Sequence, residues 1–334
     1  MSDTPSRRPM TFTFLELLDR TFRLYRENFL TIVGLVAIVT IPITLISLAL
    51  NPTSMALLTN QTSNLRTTGT GLQSFAGILG LLQVVLIYAP LTYIASEYLF
   101  NHKVSIGEAF SATRKRFTKM GCSIILLGIF IFIVAVFAVL LVIAIPPALA
   151  LFGILVYIII GAYSLLFPVL TLEDIGPSAA ITRSYVLGKR RFWTVVGLGV
   201  VLVIISVIVT AILGGSVAVL VLSTTPGRNT SSQVLLITFL NTLVNIFITP
   251  ISPIAFTLLY YDIRTRSEGL DIMLDSSGNP AARPDDFSSP DSRFRLDGHD
   301  WRNIAILTVI GLVVGVLGSG LIRTIVDQYS RLLR

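Results

Sequence analysis

Residues 14–35, FLELLDRTFRLYRENFLTIVGL, change from a basic amphipathic segment to an uninterrupted apolar run at Phe29, and that change decides the fold. Phe14, Leu15, Leu18, Phe22, Tyr25 and Phe29 recur at helical spacing, while Glu16 with Arg20 and Asp19 with Arg23 form i,i+4 pairs with the acid first. A helix so patterned lies in a lipid headgroup layer with its arginines toward phosphate, and the run that follows is long enough to cross the hydrocarbon. The same step returns at 105–117, through Arg114, Lys115, Arg116 and Phe117, and at 176–193, through Lys189, Arg190, Arg191 and Phe192. Residues 20–35 and 183–198 agree at seven of sixteen positions, among them Arg20 with Arg183, Phe29 with Phe192 and Gly34 with Gly197. Each segment also begins with a start signal. Thr13 with Glu16 and Ser105 with Glu108 have capping-box spacing, and Gly176-Pro177 places proline in a first helical turn, where its missing donor costs nothing.

Of the 334 residues, 53% are hydrophobic and 13% charged, with a mean hydropathy of +0.82. That balance belongs to a chain solvated largely by lipid. Apolar runs of about 20 residues suffice to span a bilayer, and they fall at about 29–50, 73–96, 121–145, 147–172, 193–222, 234–261 and 303–325. The expectation is an all-α polytopic membrane protein of about seven transmembrane helices. Six form three repeated hairpins within a core at 29–262, each hairpin preceded by an interfacial amphipathic helix: one in the segment 1–28, one at 105–119 and one at 177–190. An extension and polar linker at 263–302, the seventh span at 303–325 and a tail at 326–334 complete the chain. Lysines and arginines in successive connections number five, one, five, none, four, one and six. This alternation puts the N-terminus in the cytoplasm; the tail's Arg323, Arg331 and Arg334 run against it.

The second member of each hairpin carries proline and then an acid near its charged end: Pro90 before Glu97, Pro168 before Glu173, and Pro253 before Asp262. Glu97, Glu173 and Asp262 are candidates for ion pairs with boundary arginines of a neighbouring unit, and Asp262 with Arg266 and Arg264 with Glu268 have i,i+4 spacing. The candidate lipid-headgroup residues are Arg20, Arg23, Arg26, Arg114, Lys115, Arg116, Arg183, Lys189, Arg190 and Arg191; generic interfacial anchoring is the competing reading. Tyr260 and Tyr261 fit an aromatic belt. Asn241 and Asn245, one turn apart, suit helix–helix contact, as do Gly311 and Gly315 in GxxxG spacing. One cysteine, Cys122, and two histidines, His102 and His299, give no metal or cofactor set, and no soluble basic surface suggests nucleic acid.

LLDRTFRLYRENF at 17–29, GPSAAITRSYVLGKRRFW at 176–193 and YYDIRTRSEGLDI at 260–272 together resemble prokaryotic membrane proteins that carry a glycerophosphoryl diester phosphodiesterase membrane domain. The resemblance covers about residues 12–274 and implies the membrane core of that group. In the members that hydrolyse diesters, the reaction belongs to a separate barrel with histidines and metal-binding carboxylates, which has no counterpart after this core. Instead, the Ser-, Pro-, Asp- and Gly-rich residues 275–301 read as a disordered or partner-bound linker. The expected function is a non-catalytic integral scaffold or accessory subunit in a bacterial cytoplasmic membrane, in contact with anionic lipid. A protein partner or a second copy would meet the seventh span. The alternatives are a transporter or lipid-handling protein and, further off, a membrane-bound phosphodiesterase.

Overall fold

The computed structural model describes residues 10–50, 69–144, 150–216, 230–279, 282–287 and 293–313, and among them every regular element is helical. The helices are α1 (Phe14–Glu27), α2 (Phe29–Leu50), α3 (Gly69–Leu99), α4 (Ile106–Thr113), α5 (Phe117–Ala144), α6 (Ala150–Ser164), α7 (Leu166–Leu172), α8 (Pro177–Arg190), α9 (Phe192–Val209), α10 (Thr230–Ile248), α11 (Ile251–Glu268) and α12 (Leu270–Ser276). A last helix, α13, occupies 298–313. Six segments are long and apolar enough to cross a membrane: Phe29–Ala49, Gly77–Leu99, Ile106–Ile133, Gly153–Leu172, Phe192–Gly214 and Leu236–Glu268. The chain thus has the composition and helix lengths of a multi-pass membrane protein.

The local start signals are all realised. Thr13 Oγ1 accepts from Glu16 N while Glu16 Oε2 accepts from Thr13 N, and Ser105 with Glu108 repeats both bonds. Pro177 occupies the first turn of α8 behind Gly176. The basic segments then meet the apolar runs at a break in each unit. Asn28 leaves helical geometry between α1 and α2, a 3₁₀ turn at Arg114–Arg116 separates α4 from α5, and Arg191 interrupts α8 and α9. The three apolar helices therefore begin at Phe29, Phe117 and Phe192.

Packing centres on α11, which meets α1, α3, α7, α8 and α9. Residues 257–265 of α11 are buried without interruption, although they include Asp262 and Arg264. A helix enclosed on all sides cannot keep a polar face, so its charged residues must find partners inside the protein. The junction of α1 and α2 packs on α10, where Tyr25 donates to Phe247 O at 3.0 Å and Phe29 stacks on Phe247.

Helix α8 crosses α6 where two glycines meet: a Cβ on Gly188 would lie 2.9 Å from Gly161 O. Helix α13 docks on α6 at Gly153, where a Cβ would overlap Thr308 Oγ1 and reach within 2.9 Å of Ile304 O. Small residues that admit a second backbone are the usual device for helix contact in lipid, where no hydrophobic force separates helix from solvent. Among the described residues, close approach of the last helix thus comes from Gly153. Gly311 is half-buried, while Gly315 and the rest of the expected seventh span beyond 313 lie outside the described residues.

Gly153→Val is expected to displace α13 from α6, because overpacking of this kind costs about 1–3 kcal/mol. Limited proteolysis of detergent-purified protein should cut faster within 277–297, whereas Gly121→Ala, at a site with nothing within 4 Å, should leave the rate unchanged.

Candidate functional site: buried charge clusters and an adjoining cavity

Helix α7 ends at Leu172, and Glu173 turns the chain into extended geometry, its amide closing the helix on Val169 O. Four residues later α8 begins and brings Arg183 back toward Glu173, while Tyr260, Arg264 and Glu268 line one face of α11 at i, i+4 and i+8. Arg183 Nε donates to Glu173 Oε2 at 3.1 Å, and its two terminal nitrogens donate to Glu268 Oε1 and Oε2 at 2.6 Å each. Arg264 Nε donates to Glu268 Oε2 at 3.0 Å, and Arg264 Nη1 donates to the Tyr260 hydroxyl, which in turn donates to Glu173 Oε1, both at 2.8 Å. All four charged side chains are at most 3% exposed. Two cations and two anions sum to zero, so the cluster survives burial by internal neutralisation.

A second cluster surrounds Asp262, which is fully buried. Its Oδ1 accepts the Phe12 amide and Arg266 Nε, both at 2.8 Å, and its Oδ2 is bound by Arg191. Arg266 also donates to Phe12 O at 3.2 Å. One carboxylate therefore joins the segment before α1, the α8–α9 break and α11.

The third acid, Glu97 at the end of α3, is held in a fork by Arg283: Nε to Oε1 and Nη2 to Oε2, each 2.9 Å. His102 Nδ1 lies 3.0 Å from Glu97 Oε2, and the guanidinium of Arg283 sits over the Phe100 ring. Beside this pair opens a cavity of about 450 Å³ between α3, α4, α7 and the chain around Arg283. Its polar lining comprises Tyr93, Ser96, Glu97, His102, Thr113, Arg116, Thr171 and Arg283. A separate, apolar groove of about 440 Å³ lies against α3, α6, α7, α9 and α11, lined by Tyr88, Tyr163, Phe167, Gly199, Pro253 and Phe256 among others.

The linker docks on the body at a fourth point. Lys189 Nζ donates to Arg295 O and Asp297 Oδ2, both at 2.9 Å, and approaches Asp300, which also accepts from Tyr157 on α6. The Lys189 ammonium holds the Asp297 carboxyl below the usual carboxylate range, and Lys119, 2.6 Å from Asp174, does the same there.

These contacts revise several sequence expectations. Arg183, read as a headgroup ligand, is 2% exposed and faces two glutamates, because α11 covers the side of α8 that an isolated amphipathic helix would turn outward. Lys189 is largely engaged by the linker, and Arg191 by Asp262. Arg20 stacks on Phe12, Arg23 pairs with Asp19, and Arg190 lies against Glu268 and Ser267 O. Arg26, Arg114 and Lys115 are exposed, whereas Arg116 lines the cavity. Tyr260 and Tyr261 form no belt: both are fully buried, with Tyr261 bonded to Ser96. Asn241 packs on Gly214, where a π-helical turn at Thr210–Gly214 follows α9, and Asn245 bonds Asn241 O in its own helix. The described residues of 275–301 are bound to the body through Arg283 and Asp297.

Sequence reasoning missed Arg283, Thr171, Tyr157 and Asp300. Only Asp300 carried a signal, as an acid just ahead of an apolar helix. Among the described residues no three His, Cys, Asp or Glu side chains are grouped to hold a metal. Compared with protein-family models, curated proteins and solved structures, the chain matches none of them.

Asp262→Asn should destabilise the protein by about 1–2 kcal/mol, since the buried acceptor loses its charge while Arg191 and Arg266 keep partial access to solvent. Asp19→Asn, at an exposed i,i+4 pair, should cost about 0.5 kcal/mol or less. Thermal unfolding in one detergent checks both.

Proposed function

We propose that the chain is a non-catalytic integral scaffold or accessory subunit of a complex in a bacterial cytoplasmic membrane, with its N-terminus in the cytoplasm. The observation that carries this reading is the use of the boundary charges: Glu97, Glu173, Asp262 and Glu268 are each paired with arginine and bind elements of the chain to one another. Carboxylates held this way tie the helices into a rigid platform. The cations at its rim, Arg26, Arg114, Lys115 and Arg190, are exposed and suit attraction to anionic headgroups, each contributing about 1 kcal/mol near such a surface. The exposed apolar side of α13, with Ile306, Val309, Ile310 and Val313, supports a protein contact there. The resemblance of residues 12–274 to the membrane domain of the phosphodiesterase group supports a membrane core of this kind.

A lipid-handling role is the second reading, favoured by the apolar groove around Tyr88, Phe167 and Phe256, whose size suits part of an acyl chain.

Purification in mild detergent is expected to retain a stoichiometric second protein, and a reporter fused before Met1 should be active only in the cytoplasm. A monodisperse monomer carrying only lipid would favour the lipid-handling reading, and a periplasmic reporter signal would reverse the orientation.

A further inference from the structure

The wall of the apolar groove is built from segments long and apolar enough to cross a membrane, 77–99, 153–172, 192–214 and 236–268. Phe167, Pro168, Val195 and Pro253 are buried and form its floor. Val200, Val203 and Ile204, 50–60% exposed on the outer side of α9, form its rim. The groove therefore opens sideways, toward hydrocarbon and not toward water.

A polar occupant does not suit it. The wall carries no charged side chain, and its hydroxyls belong only to Tyr88, Tyr163, Ser164 and Ser252. A buried water needs two to four polar partners, which a wall made mainly of carbon does not supply along its length. Left empty, a space of about 440 Å³ would forfeit the contacts of the carbons around it. Gly199 marks how the space is kept. A Cβ there would meet only Phe256 Cζ, at 4.0 Å, whereas a Cβ at Gly153, Gly161 or Gly188 would come within 2.9 Å of a neighbour. Those three glycines admit a helix or a large side chain of this chain; Gly199 faces room that no residue of the wall fills. A helix from a partner or a second copy is too thick an occupant: with a diameter of about 10–12 Å and a pitch of about 5.4 Å, each turn takes roughly 400–600 Å³, so the groove would seat about one turn. A single extended hydrocarbon chain is thinner and lies along it.

We propose that the groove is a specific site for one acyl chain of a bilayer phospholipid, which enters over the rim of Val200, Val203 and Ile204, and that Gly199 is the residue that admits it. The chain packs against the Phe167 and Phe256 rings, and the headgroup stays outside the groove, so selection is for hydrocarbon and not for headgroup charge. This rests on the lipid-handling reading and names its ligand and its gatekeeping residue.

The test is photo-crosslinking of the full chain in phosphatidylethanolamine nanodiscs doped with phosphatidylethanolamine that carries a diazirine on one acyl chain, with adducts mapped by mass spectrometry. Adducts on 159–168, 195–204 and 252–256 should exceed those on Ile38 and Ile129, which are exposed to a similar degree on α2 and α5, and should saturate as the probe fraction rises. Gly199→Leu and Gly199→Phe should lower the groove adducts to the level at Ile38 and Ile129, while Gly128→Leu, at a site with nothing within 4 Å, should leave them unchanged. At least one Gly199 variant should melt no lower than the unaltered protein, since its side chain enters open space. Groove adducts that do not saturate, that match Ile38 and Ile129 in the unaltered protein, or that persist in a stable Gly199 variant would overturn the proposal, as would a protein crosslinked in place of lipid. Transfer of the same probe between vesicles, measured in parallel, separates the two readings: groove labelling without transfer keeps the site and removes lipid handling, and transfer without groove labelling does the reverse.

Discussion

Two arginines and two glutamates, Arg183, Arg264, Glu173 and Glu268, lie together away from water, and the arrangement of the charged end depends on their mutual neutralisation. Isolated, any one of them would meet a desolvation penalty of several kcal/mol. Together they leave few stable arrangements. Glu173 comes from the turn after α7, Arg183 from α8 and the other two from α11, so removing any helix strands a charge on the others. The network need not add much net stability compared with an apolar core of the same shape. Its effect is to fix which helix faces which, in a part of the chain where apolar side chains alone would permit many packings.

The second and third clusters extend this logic outward. Asp262 fixes the approach of the segment before α1 and the break before α9. Glu97 draws in the linker through Arg283, and Lys189 holds the same linker at Asp297. The apolar helices thus enter their spanning direction from a frame set by ion pairs, and α13 is delivered to the cleft at Gly153 already oriented. The polar cavity lies beside the Glu97 cluster, between α3, α4 and α7.

Much of this was legible in the sequence wherever the cause was local. Capping boxes involve residues three apart, so Thr13 with Glu16 and Ser105 with Glu108 could be read directly, as could the helix starts at Phe29 and Phe192. The i,i+4 pairs Asp262 with Arg266 and Arg264 with Glu268 follow from helical spacing alone. The three proline-then-acid signals pointed to Glu97, Glu173 and Asp262 as charges needing partners. What sequence spacing could not supply was the identity of distant partners. Arg183 has the same setting as Arg20, one turn before a matched leucine, and α11 packs on both helices, yet Arg20 lies half-buried on Phe12 whereas Arg183 is enclosed between Glu173 and Glu268. Arg283 sits among Pro, Ala and Asp, a composition that signals exposure and hides its fork with Glu97. Thr171 is apolar in context and betrays nothing until its unpaired hydroxyl is seen.

The central claim, that the four buried charges act as one unit, is tested most directly by a double-mutant cycle on Arg183→Met and Glu173→Gln, read as unfolding free energy in detergent. Each single change should cost about 3–5 kcal/mol, because it strands its partner. The pair should cost less than the sum by at least about 1 kcal/mol. Additivity within about 0.5 kcal/mol would contradict the account and reduce the cluster to independent contacts.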